Sequence, residues 1–354
     1  MRKVYVSFVV VGVAATMALI YTLVSTTSPT LASSGAPAAS DSPTSSKHAA
    51  RAAEAPPTSA NEDAAIAARI ASVIKPKVFG SNFSINVVDA ANHQTVFAEN
   101  ANTPRLPASN MKLVTAFNAL RTLGPQARVT TKVVSLGGGH IAIVGGGDPT
   151  LSEAALDGLA ARARAAVLAN RLGASACGAK PANECRSVVH VHFVDSLFGP
   201  ANRADGWPRG YIPSVASNVT SLGVLGDYSP TPALDAAHLF TDAMNSKLLK
   251  AKFDAGPVSG SGNEIAAQAS EPVSTQVATM LLESENNVAE VLFRRVAIAS
   301  GHSPDWTGGI EAATSLLQEA GIPLDGVSVH DGSGLSRQDR VTATFFTSLL
   351  AKMV

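Results

Sequence analysis

Cysteines, aromatic side chains and excess charge are all scarce in this chain. Its 354 residues include two cysteines, Cys177 and Cys185, and 5% aromatics. Lys and Arg number 27 against 27 Asp and Glu, so the formal net charge is zero. Without a basic excess there is no electrostatic footprint for nucleic acid, and no run of like charge forms an interaction tail. Two cysteines are too few for a zinc site of their own. Eight apart in a loop-like run, they make one short-loop disulfide in an oxidising compartment, the alternative being two idle thiols. No G-x-S-x-G nucleophile elbow supports a histidine-based hydrolase. The runs "GGGH" and "GGGDPT" lack the lysine and hydroxyl of a phosphate loop and read as tight turns after strands. His190 and His192 alternate onto one face of a strand, yet no third ligand is evident in the sequence, so they read as a surface or core pair. No metal and no cofactor is expected.

What is present is first a topological signal. Arg2 and Lys3 precede an uncharged run from Val4 to Val24, about the ~20 residues that cross a bilayer as a helix. The run exceeds the ~7 to 15 apolar residues of a signal peptide. The expectation is an uncleaved N-terminal membrane anchor, with a cleaved signal segment as the alternative. Either places the remainder outside the cytoplasm with the basic end inside. Ser25 to Ala60, built from Ser, Thr, Ala, Pro and Gly, reads as a disordered tether.

Beyond the tether the hydrophobic period changes several times. Ile66, Ile70 and Ile74 form a helical stripe ending before Pro76. "NFSINVVD" and "QTVFAE" read as an antiparallel hairpin. After a helix at Ser109 to Leu120, the strand-like runs "VTTKVVSL", "HIAIVGGGD" and "SVVHVHFVD" are interrupted by one helix beginning at Ser152. Helical signatures return at Thr275 to Glu283, Asn287 to Ser300, Ile310 to Gly321 and Val341 to Met353. The pattern is that of a mostly helical domain interrupted by a β-rich insertion large enough to form its own unit.

The spacing Ser-x-x-Lys occurs twice. Lys75 of the first copy is followed by Pro76 at a helix end, where a solvated cation is favourable, so that copy reads as chance. In "PASNMKLVTAFNALRTLG" the serine opens an apolar helix and Lys112 lies one turn on, on the same face as Ser109. Serine needs a base to become a nucleophile, and lysine serves as one only when desolvation or a neighbouring charge brings its pKa down. A helix amino end also offers backbone N–H groups to an oxyanion. Taken alone, the motif better fits an N-cap serine followed by a lysine reaching for solvent. Two later stretches bear on that choice. Ser284-Glu285-Asn286 opens a long amphipathic helix, and Asp331-Gly332-Ser333-Gly334-Leu335-Ser336-Arg337 is a glycine-rich turn before another.

The order Ser109-Asn110-Met111-Lys112, "GGGDPTLS", Ser284-Glu285-Asn286, "DGSGLSR" resembles the class C low-molecular-mass penicillin-binding proteins, serine D-alanyl-D-alanine carboxypeptidases and endopeptidases that trim peptidoglycan peptides. The resemblance implies an α/β (α+β) fold, a penicillin-recognising serine transpeptidase/β-lactamase-like domain split by an inserted β-rich domain. Residues 1–24 are then anchor or signal, 25–62 linker, 63–127 the first part of the transpeptidase-like domain, 128–261 the insertion and 262–354 the second part. It also implies roles. Ser109 is the nucleophile that forms an acyl-enzyme, Lys112 its base, Ser284 the relay to the leaving group and Asn286 the holder of the substrate amide. The implied partners are peptidoglycan stem peptides, β-lactams as covalent inhibitors, and the cytoplasmic membrane through the N-terminal segment.

The family's third motif, Lys-Thr-Gly, is missing: no lysine here is followed by Thr-Gly or Ser-Gly. The expectation is a C-terminally truncated domain. By the resemblance, that motif lies on a strand that supplies the second oxyanion donor, and loss of one such donor costs about 3 to 4 kcal/mol. The competing class is a non-catalytic or inactive envelope homologue.

Overall fold

In the computed structural model the described residues are 4–10, 60–74, 80, 82–175, 186–200, 203–256 and 258–353. Residues 25–59 of the tether, Lys75 of the first Ser-x-x-Lys copy and the Cys177–Cys185 pairing lie outside them, while residues 60–62, read as the end of the linker, are helical. The chain divides into two compact units, Met1–Ala101 and Asn102–Val354, the division falling within the span 63–127.

The first unit is a three-stranded antiparallel sheet with one helix. Its elements are β1 (Val4–Val10), α1 (Ala60–Val73), β2 (Phe83–Asp89) and β3 (Thr95–Glu99). β2 is central, and all seven of its residues are buried. Phe83, Ile85 and Val87 pack with Val96 and Phe97, and the four-residue stripe brings Ile70 of α1 and Ile74, the residue just past its end, onto the same cluster. β1 corrects the reading of Val4 to Val24 as one membrane helix. Val4 stands opposite Asp89 and Val10 opposite Phe83 in an antiparallel ladder, while residues 11–24 lie outside the described set. A continuous apolar run cannot by itself separate a buried strand from a helix, and this one is rich in valine, which favours strands. Among the described residues no helix is long and apolar enough to cross a membrane.

The second unit opens with a short 3-10 turn, Ala108–Asn110, that runs directly into α2 (Met111–Thr122). Next come β4 (Thr130–Gly137), β5 (His140–Val144), α3 (Glu153–Ala169), β6 (Ala174–Ser175), β7 (Ser187–Val194), α4 (Pro232–Met244), β8 (Leu249–Phe253) and β9 (Asn263–Ala269). The unit ends with α5 (Val273–Leu282), α6 (Asn286–Ala299), α7 (Trp306–Glu319) and α8 (Ala343–Lys352). The six strands form one mixed sheet in the order β6-β7-β5-β4-β9, with β8 also paired to β7. β5, β7 and β8 run parallel; β4 is antiparallel to β5 and β9. Ile141, Ile143 and Val191 of the sheet meet Leu159 and Ala163 of α3 and Phe240 of α4 in its core.

The sheet-bearing stretch thus carries a second helix, α4, and three strands, β6, β8 and β9, that the sequence reading omitted. α4 begins on Pro232, whose fixed φ suits the first helical turn, and buries Ala233, Ala236, Ala237, Phe240 and Met244 on one stripe. Its turn-rich lead "SPTP" hides that stripe.

A separate helical core holds the site. Ala116 and Ala119 of α2 pack with Val277 and Met280 of α5, Val288 and Leu292 of α6, and Ala312 of α7. Small residues on α2 let the helices approach closely. Arg105 and Val341 exchange backbone hydrogen bonds at 2.8 and 2.9 Å, tying the chain before the 3-10 turn to the segment after the "DGSG" loop.

Candidate active site

Ser109 sits in the 3-10 turn, and its hydroxyl lies between two partners. Lys112 Nζ is 3.3 Å from Ser109 Oγ, and the Ser284 hydroxyl donates to Ser109 Oγ at 3.2 Å. Neither this turn nor α2 carries a side-chain N-cap bond, so the capping reading of the serine is not the one realised. Nor does the lysine reach for solvent. Lys112 is 1% exposed.

A buried ammonium must find acceptors or lose its proton. Lys112 Nζ donates to Asn286 Oδ1 at 2.6 Å and to the Ser333 carbonyl at 3.1 Å, so its acceptors are a hydroxyl, an amide and a carbonyl oxygen. Burial lowers its pKa from the ordinary 10.5 to about 8; the Glu290, Asp331 and Glu285 carboxylates act in the opposite direction and stop it falling further. The neutral amine is therefore within about one unit of physiological pH, the range where a general base is useful.

Asn286 is fixed at both ends. Its Oδ1 accepts from Lys112 while its Nδ2 donates to the Val215 carbonyl at 2.8 Å, which sets the amide's orientation. It is the first residue of α6. The turn before it is strained: Ser284 has φ +56°, a left-handed conformation that costs a non-glycine residue roughly 1 kcal/mol or more. Neighbouring contacts hold the turn. Tyr228 donates its hydroxyl to both Glu285 carboxylate oxygens at 2.9 and 3.0 Å, and burial followed by that carboxylate pushes the phenol up to about 12. Asn287 Oδ1 accepts from Ser217 N at 2.9 Å.

The "DGSG" loop is the floor beneath Lys112. Asp331, fully buried, accepts from the N–H of Gly334 and Ser336 and from the Trp207 indole, each at 2.7 Å. Glu290 of α6 reaches the loop from below, accepting from Gly332 N at 2.9 Å and Ser333 N at 2.8 Å. Thr115 of α2 donates to the Gly332 carbonyl at 2.7 Å. The two glycines answer to space. A Cβ on Gly334 would lie 1.8 Å from the Ala108 carbonyl oxygen, and one on Gly332 would lie 2.7 Å from the Ala289 carbonyl oxygen. Gly334 also has φ +84°, and Ala108 itself has φ +48°. Burial, and then the nearby Asp331 carboxylate, push Glu290 and Asp339 upward.

The structure thus brings Ser109, Lys112, Ser284 and Asn286 together. The sequence reading missed Glu290, Thr115 and Trp207. No spacing marks them; an acidic residue on the buried face of α6 was the available signal for Glu290. "GGGDPTLS" forms a turn in which Asp148 accepts from Thr150 N and Oγ1 at 2.8 Å, and Ser152 caps α3 through Ala155 N.

The sequence model of the family described as D-Ala-D-Ala carboxypeptidase 3 (S13) matches residues 64–171 and 209–354. A carboxypeptidase of Mycobacterium tuberculosis is 30% identical over 297 residues, covering 79% of this chain and 62% of that protein. A D-alanyl-D-alanine carboxypeptidase of an Actinomadura species is 25% identical over 355 residues, with 78% and 65% covered. The chain spans less than two thirds of the length of either relative. Its fold is similar to that of penicillin binding protein 4 from Haemophilus influenzae, with a TM-score of 0.57, 19% identity, and 75% of this chain and 74% of that one covered. The penicillin-binding fold follows from that likeness, and the family match takes in both segments that converge on Lys112: this chain is a member of the D-Ala-D-Ala carboxypeptidase 3 (S13) family.

Proposed function

We propose that the chain is a serine-type D-alanyl-D-alanine carboxypeptidase or endopeptidase acting on peptidoglycan stem peptides. The observation that carries this reading is the Lys112 amine, buried, placed 3.3 Å from Ser109 Oγ and brought down to about 8. Neutral Lys112 takes the Ser109 proton as Oγ attacks the carbonyl of the penultimate residue. The tetrahedral oxyanion meets N–H donors at the amino end of the helix. The C–N bond then breaks, the departing amine takes a proton relayed through Ser284, and the acyl group remains on Ser109 as an ester. Water cleaves that ester with Lys112 again as base. Asn286 orients Lys112 in the free enzyme and is placed to meet the substrate amide.

The same acylation step traps β-lactams, whose strained amide presents the same carbonyl but keeps its leaving group tethered. Location outside the cytoplasm, through an exported or anchored N-terminal segment, belongs to this reading; Arg2 and Lys3 ahead of the apolar run support it. So does a Cys177–Cys185 disulfide, which an oxidising compartment favours. A non-catalytic envelope role gives no reason to bury Lys112, which is costly without a chemical use. The test is release of D-alanine from a peptide ending in D-Ala-D-Ala by the full chain. Release that depends on Ser109 supports the reading; none, from a folded protein, contradicts it.

A further inference from the structure

The parallel strands β5 and β7, with the segment following β8, bring further chemistry together at one end of the sheet. His140 stands opposite His190 in the ladder, and His192 lies two residues on, on the same face as His190. Asp254 follows β8 directly, its N–H donating to the Val191 carbonyl at 2.9 Å. His140 Nδ1 and His192 Nε2 are 2.9 Å apart, and Asp254 Oδ2 is 3.9 Å from His192 Nε2 and 3.8 Å from His190 Nδ1. One donor atom from each of His140, His192 and Asp254 lies within 4.8 Å of the others. The rings of His140 and His190 stack at 4.9 Å.

Two backbone contacts aim these groups. The His192 ring sets Nδ1 against the Gly256 carbonyl at 3.3 Å, which favours the tautomer whose Nε2 carries a lone pair, here turned toward His140. Gly256 N donates to Asp254 Oδ1 at 3.0 Å and leaves Oδ2 toward the rings. A histidine pair kept only for packing needs neither a fixed tautomer nor an oriented carboxylate. Lys252, the ladder partner of His190, is exposed and long enough to carry its charge into solvent.

We propose that His140, His192 and Asp254 bind a divalent transition-metal ion of the zinc class, with the fourth position open to water, and that the ion ties β5, β7 and the segment after β8 together. Imidazole nitrogens and one carboxylate suit such an ion. Metal–ligand distances of about 2.0 to 2.2 Å put tetrahedral donor atoms roughly 3.3 to 3.6 Å apart. Side-chain shifts on the order of 1 Å bring the present donors to that spacing. The proton that bridges His140 Nδ1 and His192 Nε2 moves to His140 Nε2 when the ion enters, so both imidazoles bind as neutral ligands.

The experiment is calorimetric titration of the metal-stripped full chain with Zn²⁺ alone, followed by the absorption spectrum of the Co²⁺-loaded protein. The expected result is one ion per chain, with a four-coordinate nitrogen/oxygen cobalt spectrum. Affinity should fall about 100-fold or more in His140→Ala and in Asp254→Asn, a loss at least as large as removal of a supporting second-sphere residue produces. Asp254 is partly exposed, so its variant serves if His140→Ala does not fold. Binding should persist in a Cys177→Ser/Cys185→Ser variant. Absence of stoichiometric binding, full retention in a folded His140→Ala or Asp254→Asn protein, or loss with the cysteines alone overturns the proposal.

Discussion

Lys112 Nζ donates to Asn286 Oδ1 across 2.6 Å, joining residues 174 apart in the chain. This bond makes the lysine a fixed, buried amine instead of a mobile surface cation, and Ser109 is the third party to it. Replacing Lys112 with Met removes the base and keeps most of the volume. We expect acylation of Ser109 to fall by about 10² to 10⁴. Stability should change little or rise, because a methionine avoids the desolvation of an ammonium while leaving two acceptors short of a donor. Stopped-flow acylation and urea midpoints measure the two effects separately.

The pKa of about 8 fixes a pH profile. Below it, the neutral fraction of Lys112 grows tenfold per pH unit, so acylation should rise about tenfold from pH 6 to pH 7 and level off above about 9. The same group gives a stability signature of definite sign. Its pKa is lower in the fold than in the unfolded chain, so the unfolded chain binds more protons between about 8 and 10.5 and stability from this group rises with pH across that window. That rise should be missing in Lys112→Met when thermal midpoints of both proteins are compared from pH 8 to 10.

Ser284 pairs a function with a strain. Its hydroxyl reaches Ser109 and its backbone has φ +56°. Glycine relieves the backbone and deletes the hydroxyl. Ser284→Gly should therefore unfold at higher denaturant, by about 1 kcal/mol at most once glycine's greater unfolded freedom is counted, yet acylate about 10²-fold more slowly. A variant both less stable and fully active would contradict this assignment.

Gly334 leaves no room for a side chain. Gly334→Ala directs a Cβ at the Ala108 carbonyl in a backbone conformation that alanine disfavours. Either the loop or the serine turn must move, so a loss of at least about 2 kcal/mol is expected, together with loss of acylation. Chemical denaturation and penicillin labelling of the same sample check both.

How much was legible in the sequence depended on whether a role resides in local spacing. Ser109 and Lys112 are three apart on a helix, and Ser284 and Asn286 open another; their meeting follows once the two helices pack. Glu290 and Thr115 were invisible because their task, holding the "DGSG" loop, exists only after α2 and α6 lie against it. His140 and Asp254 were missed for a similar reason: strand pairing, not sequence distance, makes them neighbours of His192. Val4–Val10 was misread because apolar continuity fits a helix and a strand alike, and only the buried face of β2 shows what it pairs with.

The central claim is that Ser109 is a nucleophile activated by Lys112. Its most direct test is the intact mass of the full chain after incubation with benzylpenicillin, with Ser109→Ala alongside. The account predicts an increase of one penicillin per chain in the wild type and none in the variant. A cooperatively folded wild-type protein that gains no mass, or a Ser109→Ala protein that gains the same adduct, would contradict it.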